Sequence, residues 1–296
     1  LAGVLGLGGS AGTTIGTAAM RALPLGVPKL MVSTLASGAV GHYVGSSDML
    51  LMNAVVDISG LNRISRTVLA RAAQAKAGMA LGELPKAEAS DRPIVAATMF
   101  GVTTPCVEHA RALLEQAGFE VLVFHATGSG GRAMESLIDS GLIAGVLDVT
   151  TTELADELVG GVLSAGPDRL TAAARAGIPQ VVSVGALDMV NFLGFDTVPS
   201  KFQGRLFHRH NANVTLMRTT PEENALLGRK LAEKVACSRG PAHIFLPLRG
   251  VSALDRAEQS FDSPAARAAL FAAIRAHAGR VPVTELDLHV NDAAFA

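Results

Sequence analysis

Short apolar runs alternate with amphipathic segments along most of the chain. Nine runs have the length of a β-strand: 1–7, 29–33, 94–100, 120–125, 145–149, 180–184, 214–218, 243–248 and 283–288. Helical patterns lie between them at 13–22, 64–77, 106–117, 132–140, 168–176, 222–236 and 264–278. Several of the apolar runs have no polar face, as in parallel strands covered by helices on both sides. The alternation predicts an α/β fold with doubly wound, mostly parallel sheets.

The segment 83–93 interrupts this alternation. It is polar, contains two prolines and has no periodicity, so it predicts a linker between a first subdomain, residues 1–84, and a second, residues 94–296. Only two of the strand runs precede it, and the chain opens inside the first of them without an initiating Met. We therefore expect the first subdomain to be truncated at its N-terminus.

Composition narrows the classes of function. The formal net charge is −1, there is no Trp and there is one Tyr, so neither a basic field nor a set of stacking aromatic residues for nucleic acid is present. No apolar stretch reaches about 18 residues, the length that predicts a membrane span. The two cysteines form no disulfide framework, which favours a reducing cytoplasm.

The first candidate site is the glycine-rich turn after the run 1–7. Its candidate ligand-binding residues are Gly8, Gly9, Ser10, Gly12 and Thr13. The sequence from Gly6 to Ala11 matches the dinucleotide pattern G-x-G-x-x-G/A, but the run 29–33 ends in Ser-Thr and not in an acidic residue. The turn therefore predicts a loop for phosphate or carboxylate and not a nicotinamide site. A tight turn that serves only packing is the alternative.

A second glycine-rich turn follows the run 120–125. It consists of Gly128, Ser129, Gly130, Gly131 and Arg132. A cation in the first turn of a helix opposes the helix dipole, so Arg132 indicates an anionic partner. That partner is either a bound phosphate, which we favour, or a structural carboxylate such as Glu135.

Threonine clusters follow three other strand runs. Capping boxes are predicted for Thr150 with Glu153 and for Thr220 with Glu223. Capping is the favoured role of each cluster. The hydroxyl groups of Thr103, Thr104 and Thr151 are candidate ligand contacts at the carboxyl ends of the strands. The Glu153 carboxylate is a further candidate there.

Metal and catalytic groups are less clearly indicated. Asp148, at the end of a strand, is a candidate for holding Mg²⁺ through water, although a carboxylate that caps N–H groups is at least as good an explanation. His208 and His210 share a strand face but lack a third ligand. Cys106 lies near a helix start and is expected to be a small buried hydrophobe. No nucleophile–base pair is legible, so no catalytic residue is predicted.

The motifs together resemble one known family. The segments that carry the resemblance are 8–13, 23–29, 43–45, 55–58, 98–105, 124–128, 130–135, 150–153, 188–192, 217–220 and 250–252. In this order they are similar to the ATP-binding family typified by the N-terminal inhibitory domain of the tomato mosaic virus resistance protein. The resemblance covers essentially the whole chain.

The resemblance implies two Rossmann-like subdomains, nucleotide binding and a homodimer or higher homo-oligomer. Family members usually begin with a further βα segment containing Asp-Thr-Lys, and some continue into a TIM-barrel domain; neither is present in this sequence. The plant domain also binds a viral helicase, a specialised role that we do not expect here.

The leading hypothesis is therefore an ATP-binding α/β protein, with Mg²⁺ as an accompanying ion. The phosphates would lie at Gly8–Thr13 and at Gly128–Arg132. The alternatives are an enzyme that acts on a small phosphorylated or carboxylated metabolite, and a protein-interaction scaffold.

Overall fold

The computed structural model describes residues 1–83 and 91–296. They form two compact units, Leu1–Asp91 and Arg92–Ala296, which are treated separately below. Most of the predicted linker, residues 84–90, lies outside the described residues.

The first unit contains a three-stranded parallel sheet in the order β1-β2-β3. Its elements are β1 (Val4–Gly8), α1 (Ser10–Arg21), β2 (Lys29–Ser33), α2 (Gly41–Val44), β3 (Leu50–Asn53) and α3 (Arg63–Leu81). β2 is buried along its whole length because it is the central strand. The sequence predicted only two strands here and missed β3, which is four residues long and half-buried.

The second unit contains a six-stranded parallel sheet in the order β12-β11-β7-β6-β4-β5. Its strands are β4 (Ile94–Met99), β5 (Glu120–His125), β6 (Gly145–Thr150), β7 (Gln180–Gly185), β11 (Ala242–Pro247) and β12 (Val283–Leu286). Its helices are α4 (Thr104–Gln116), α5 (Ser129–Asp139), α6 (Glu153–Val159), α7 (Ala172–Ala176), α8 (Pro221–Ala236) and α9 (Pro264–His277). β5 is added on one side of β4, and β6 and the later strands are added on the other side. The order of strands therefore reverses between β4 and β6, and open α/β sheets bind ligands at such a switch point.

A small antiparallel sheet is inserted between β7 and α8. Its strands are β8 (Met189–Phe192), β9 (Phe207–Asn211) and β10 (Val214–Arg218), in the order β8-β10-β9. The sequence predicted only β10. β8 continues almost directly from β7, and β9 is rich in His, Arg and Asn, so neither stands out as an apolar run.

The prediction of an α/β fold with mostly parallel sheets is confirmed. The largest core cluster contains Val182, Val184, Ile244 and Leu246 from β7 and β11, packed with residues of α8 and α9 such as Leu231. Burial of these apolar side chains stabilises the sheet by roughly 1.5–3 kcal/mol for each large one. Within the described ranges, 1–83 and 91–296, no helix combines the length and the apolar character required to cross a bilayer.

Candidate functional site

The turn after β1 presents unbonded backbone N–H groups. α1 begins at Ser10, its N-cap is Gly9, and no side chain caps this end of the helix. The first hydrogen bond of the helix runs from the Thr13 nitrogen to the Gly9 carbonyl at 2.8 Å. The N–H groups of the first turn therefore have no carbonyl within the helix to bind. With the helix dipole, they favour an anion at this end.

A polar pocket lies against this helix end. Its volume is about 400 Å³. It is formed by residues at the end of, or just after, the three strands of the first sheet: Gly9, Ser10, Thr34, Asn53, Val55, Val56 and Asp57. This is the carboxyl edge of a parallel sheet, where α/β proteins bind ligands.

The segment 54–58, which follows β3 and is here called the strap, is strained at this pocket. Val55 has φ 66°, a conformation that β-branched residues rarely adopt. The Asn53 side-chain oxygen accepts the Val55 N–H at 3.1 Å, and Asp57 Oδ1 accepts the Ile58 N–H at 2.8 Å. Such backbone strain concentrates at binding and catalytic sites.

An apolar cavity of about 190 Å³ lies on the other side of the same strap. Ala54, Val56 and Ile58 face it together with Val68 and Leu69 of α3. Ala54 and Ile58 therefore border the apolar cavity, Val55 and Asp57 border the polar pocket, and Val56 borders both.

The predicted residues of the first turn divide into two groups. Gly9 and Ser10 line the polar pocket. Thr13 is buried, and its hydroxyl lies 2.7 Å from that of Ser33, so it tethers α1 to β2. A Cβ on Gly8 would lie 2.7 Å from the Cα of Gly12, so these two glycines allow the helix to pack closely on the strand.

The second glycine-rich turn already holds an anion supplied by the chain. Glu153 Oε1 accepts the N–H groups of Gly128 and Gly131, at 2.6 and 3.1 Å. Glu153 is fully buried, and it satisfies the start of α5 as a phosphate would. A phosphate at this turn would have to displace the carboxylate.

Close packing explains the glycines of that turn. A Cβ on Gly131 would lie 2.1 Å from Glu153 Oε2, and one on Gly130 would lie 1.9 Å from the carbonyl oxygen of His125. Ser129 opens α5 after Gly128, which has φ 82°. These contacts are internal to the protein.

Arg132 does not bind Glu135, its alternative predicted partner. Its Nη1 donates to the Ser164 carbonyl at 2.8 Å, and the side chain is exposed. Glu135 instead accepts the N–H groups of residues 170–172 at the start of α7, at 2.7, 3.1 and 2.7 Å.

Arg169, which sequence reasoning missed, organises the carboxyl edge of the second sheet. It is 1% exposed. Its two Nη atoms donate to both oxygens of Asp148 at 2.5 and 2.7 Å, and its Nε donates to Glu153 at 2.6 Å. These carboxylates hold the pKa of Arg169 well above its usual value, against the opposing effect of burial. The one feature of the sequence that indicated a buried charge here was Asp148, which lies within an apolar run.

The geometry at Asp148 gives no support to the predicted magnesium site. Arg169 binds both carboxylate oxygens, and the Thr98 hydroxyl donates to Oδ1 at 2.7 Å. Among the residues that the structure describes, no cluster of three or more His, Cys, Asp or Glu side chains could hold a metal ion. His208 and His210 therefore have no third ligand within that part of the chain.

The predicted threonines make bonds inside the protein. The Thr103 hydroxyl lies 2.7 Å from that of Thr150, and the Thr151 hydroxyl donates to the Ser183 carbonyl at 3.1 Å. The Thr104 hydroxyl donates to the Phe100 carbonyl at 3.2 Å.

One of the two predicted capping boxes is present. Thr220 and Glu223 form theirs at the start of α8. The box predicted for Thr150 and Glu153 is wrong, because α6 begins at Glu153 and that side chain turns instead to α5.

Other ionisable groups of the second unit are buried. Burial raises the pKa of the Cys106 thiol to about 12, so this residue is an inert apolar side chain in the first turn of α4. Burial also raises the pKa of Asp156 to about 7, although N–H groups of Asn191 and Leu163 hydrogen-bond to its carboxylate. Asp188 has a similarly raised pKa of about 7, caused first by burial and then by Asp255.

The matches to known sequence families divide the chain at nearly the same place as the two compact units. Residues 1–85 match the N-terminal domain, and residues 92–296 the C-terminal domain, of the family described as Uncharacterised protein family (UPF0261). The chain is 54% identical to a UPF0261 protein of Rhizobium meliloti and 51% identical to one of Clostridium tetani, over all of this chain and 74% of each relative. It is 47% identical to ToMV resistance protein Tm-1 of Solanum lycopersicum, over all of this chain and 40% of that protein.

Proposed function

The chain belongs to the UPF0261 family, and we propose that it is a nucleotide-binding α/β protein whose first unit binds the phosphates of ATP. The observation that carries the proposal is the uncapped start of α1, which opens into the polar pocket of about 400 Å³ at the carboxyl edge of β1, β2 and β3. Backbone N–H groups and a helix dipole directed at a polar pocket favour phosphate oxygens.

The pocket's single carboxylate gives magnesium a role. Asp57 is exposed and lines the pocket, and among the described residues its Oδ1 accepts only the N–H of Ile58. An unneutralised carboxylate repels a polyphosphate, whereas Mg²⁺ held through water between the two relieves this repulsion. The proposal therefore includes Mg²⁺ at Asp57, and not at Asp148.

The apolar cavity behind the strap supports a nucleotide over a bare phosphate. It shares Val56 with the polar pocket and is lined almost entirely by apolar side chains. An apolar body beside an anionic end matches a base joined to a phosphate chain. Ser65 is the polar side chain in the lining of this cavity, and its hydroxyl is already bonded within the capping box of α3. We therefore expect little discrimination between adenine and guanine.

The second glycine-rich turn has no part in this proposal. Glu153 already bonds to the N–H groups of Gly128 and Gly131. The phosphates are therefore assigned to the first turn alone. A homodimeric or larger cytoplasmic assembly remains part of the proposal, supported by the family resemblance and by two free thiols, Cys106 and Cys237.

Isothermal titration calorimetry with ATP and Mg²⁺ tests the proposal. We expect heat of binding that depends on Mg²⁺ and that GTP reproduces within about tenfold in affinity. No heat, together with no shift in melting temperature at millimolar MgATP, would falsify it.

A small phosphorylated or carboxylated metabolite is the alternative ligand. The pocket's polar lining and volume suit it equally, because it offers the same anionic oxygens. A thermal-shift comparison of sugar phosphates, keto acids and ATP separates the two. A metabolite that stabilises the protein more than ATP does would support an enzyme acting on that metabolite.

A further inference from the structure

The second unit has a pocket lined by four cationic side chains. Its volume is about 500 Å³, which is within the range of pockets that hold small metabolites. One wall is the C-terminal half of α8, and the other is the segment 168–175, which contains the start of α7. The four cations are Arg175, Lys230, Lys234 and Arg239.

Three of these cations have no carboxylate partner within the described part of the chain. Arg175 is the exception, because its Nη2 donates to both oxygens of Asp139 at 2.9 and 2.7 Å. The Lys230 side chain forms no ion pair or hydrogen bond there, and the Arg239 guanidinium reaches only the Arg175 carbonyl, at 3.5 Å. Lys234 bonds only to carbonyl groups. Lys230, Lys234 and Arg239 are here called the three unpaired cations.

Lys234 is held in place with one donor free. Its Nζ donates to the carbonyls of Pro167 and Arg169, at 2.5 and 2.8 Å. An ammonium group has three N–H donors, so one remains for a ligand. Because two carbonyl groups already fix the ammonium group, this side chain loses little conformational freedom when a ligand binds.

The carboxylates of the lining leave an excess of positive charge in the pocket. Glu233 is paired with Arg229 at 2.7 Å. Asp168 is the other carboxylate in the lining, and its side chain is exposed. The three unpaired cations against this one carboxylate give the pocket a net charge of +2. Such a pocket attracts an anion that carries more than one negative charge.

The helix dipole explains only one of the three unpaired cations. Lys234 lies in the last turn of α8, where the dipole stabilises a cation. Lys230 lies four residues earlier on the same face of the helix, and like charges at this spacing repel each other. Arg239 lies beyond Cys237, the C-cap of α8. An anion bound among these cations relieves their repulsion.

The spacing of the cations indicates the size of the ligand. Lys230 and Cys237 are seven positions apart, which corresponds to about 10 Å along a helix axis. Arg239 begins after that point. The backbone positions of the cations are therefore distributed over a length greater than that of one phosphate group, which matches a ligand with an anionic group at each end.

We propose that this pocket binds a small metabolite with two or more anionic groups, either a bisphosphate or a di- or tricarboxylate. Lys230 and Arg239 bind the two ends of the metabolite, and the free donor of Lys234 binds between them. All the residues concerned belong to the second unit. The site is therefore independent of the nucleotide site proposed for the first unit.

Protection of Cys237 from alkylation measures binding at this pocket alone. Cys237 lines the pocket and is exposed, whereas Cys106 is buried. The rate at which iodoacetamide, a neutral reagent, alkylates Cys237 in the intact chain is followed by mass spectrometry at constant ionic strength. The probes are fructose 1,6-bisphosphate, citrate and inorganic phosphate.

We expect the bisphosphate or citrate to slow alkylation about fivefold or more, at concentrations about tenfold below those that inorganic phosphate requires. Stronger protection by the bisphosphate identifies the anionic groups as phosphates, and stronger protection by citrate identifies them as carboxylates. No protection by either probe, or no preference for them over inorganic phosphate, overturns the proposal.

Three charge reversals locate the binding groups. Lys230→Glu and Arg239→Glu each reverse one exposed charge of the pocket, and each should weaken the protection about tenfold or more. Arg256→Glu is the matched control, because it makes the same change of charge at an exposed position outside the pocket lining and should retain the protection. An equal loss in Arg256→Glu would show a general effect of charge and would overturn the proposal. Calorimetry with ATP is unaffected by these outcomes, so the two proposals fail separately.

Discussion

Arg169 and Asp148 form a fully buried, two-bonded ion pair, with the two Nη atoms 2.5 and 2.7 Å from the two carboxylate oxygens. The Nε atom of the same guanidinium group donates to Glu153 at 2.6 Å. Because Glu153 in turn caps α5, one arginine connects β6 to the starts of α5 and α6. This network occupies the position where a ligand of the second unit was expected from the sequence.

Replacing Arg169 should destabilise the protein strongly. Arg169→Met leaves two buried carboxylates unpaired, which costs about 3–5 kcal/mol of unfolding free energy. Urea denaturation measures it. Arg175→Met is the control, since Arg175 pairs with Asp139 where both side chains are about half exposed, and its loss should cost less than about 1 kcal/mol. Equal losses for the two variants would contradict the structural role of Arg169.

A methyl group at Gly131 should displace Glu153. In Gly131→Ala the new Cβ collides with Oε2, so the carboxylate must leave the start of α5, and we expect a loss of about 2–4 kcal/mol. Gly101→Ala is the control, because nothing lies within 4 Å of a Cβ there. Thermal unfolding of both variants decides. If Gly131→Ala is as stable as Gly101→Ala, the contact with Glu153 is not required.

A carboxylate at position 9 should stabilise the fold while abolishing ligand binding. In Gly9→Asp the side chain would cap α1 and bond to the same N–H groups that the proposal assigns to phosphate. Since a Cβ there meets only Thr34 Oγ1, at 3.6 Å, we expect a gain of about 1 kcal/mol together with the loss of ATP binding. Differential scanning calorimetry and ATP titration measure the two effects.

Two controls separate this effect from crowding and from the second turn. Gly9→Ala adds the Cβ without the charge and should retain most of the binding. Arg132→Ala should leave binding unchanged, because Arg132 donates to a carbonyl of its own chain. A loss of ATP affinity in Arg132→Ala would move the site to the second unit.

Asp156 should make the unfolding free energy depend on pH. Burial raises its pKa from 3.8 to about 7, so the folded state binds the proton more tightly than the unfolded chain does. The resulting stabilisation is complete below the unfolded pKa and is lost as pH rises through about 7. The slope is up to about 1.4 kcal/mol per pH unit between these two values.

Urea unfolding of Asp156→Asn across this range should show a smaller slope. Asp188 titrates in the same direction, so part of the slope remains. Asp287→Asn is the control, because Arg249 holds the pKa of that exposed carboxylate below its ordinary value and its loss should leave the slope unchanged. An unchanged slope in Asp156→Asn would contradict the raised pKa.

Local sequence patterns predicted the long helices and all the parallel strands except β3, because burial on both faces and amphipathic periodicity can be recognised within single segments. They also located both glycine-rich turns. They could not predict that Glu153 binds Gly131, since the two residues lie on different helices and meet only in the folded sheet. Arg169 was missed for the same reason, because its partner Asp148 is 21 positions away in sequence.

The residue at position 153 decides whether the turn after β5 is satisfied by the chain itself or by an anion from solution. An acidic side chain at this position bonds to the N–H groups of the turn after β5. Because this anion is part of the chain, the turn is satisfied whatever the concentration of anions in solution. A neutral residue there would leave the same N–H groups unsatisfied. Such a chain would need a solute anion to complete its fold, and its stability would then report the phosphate concentration around it.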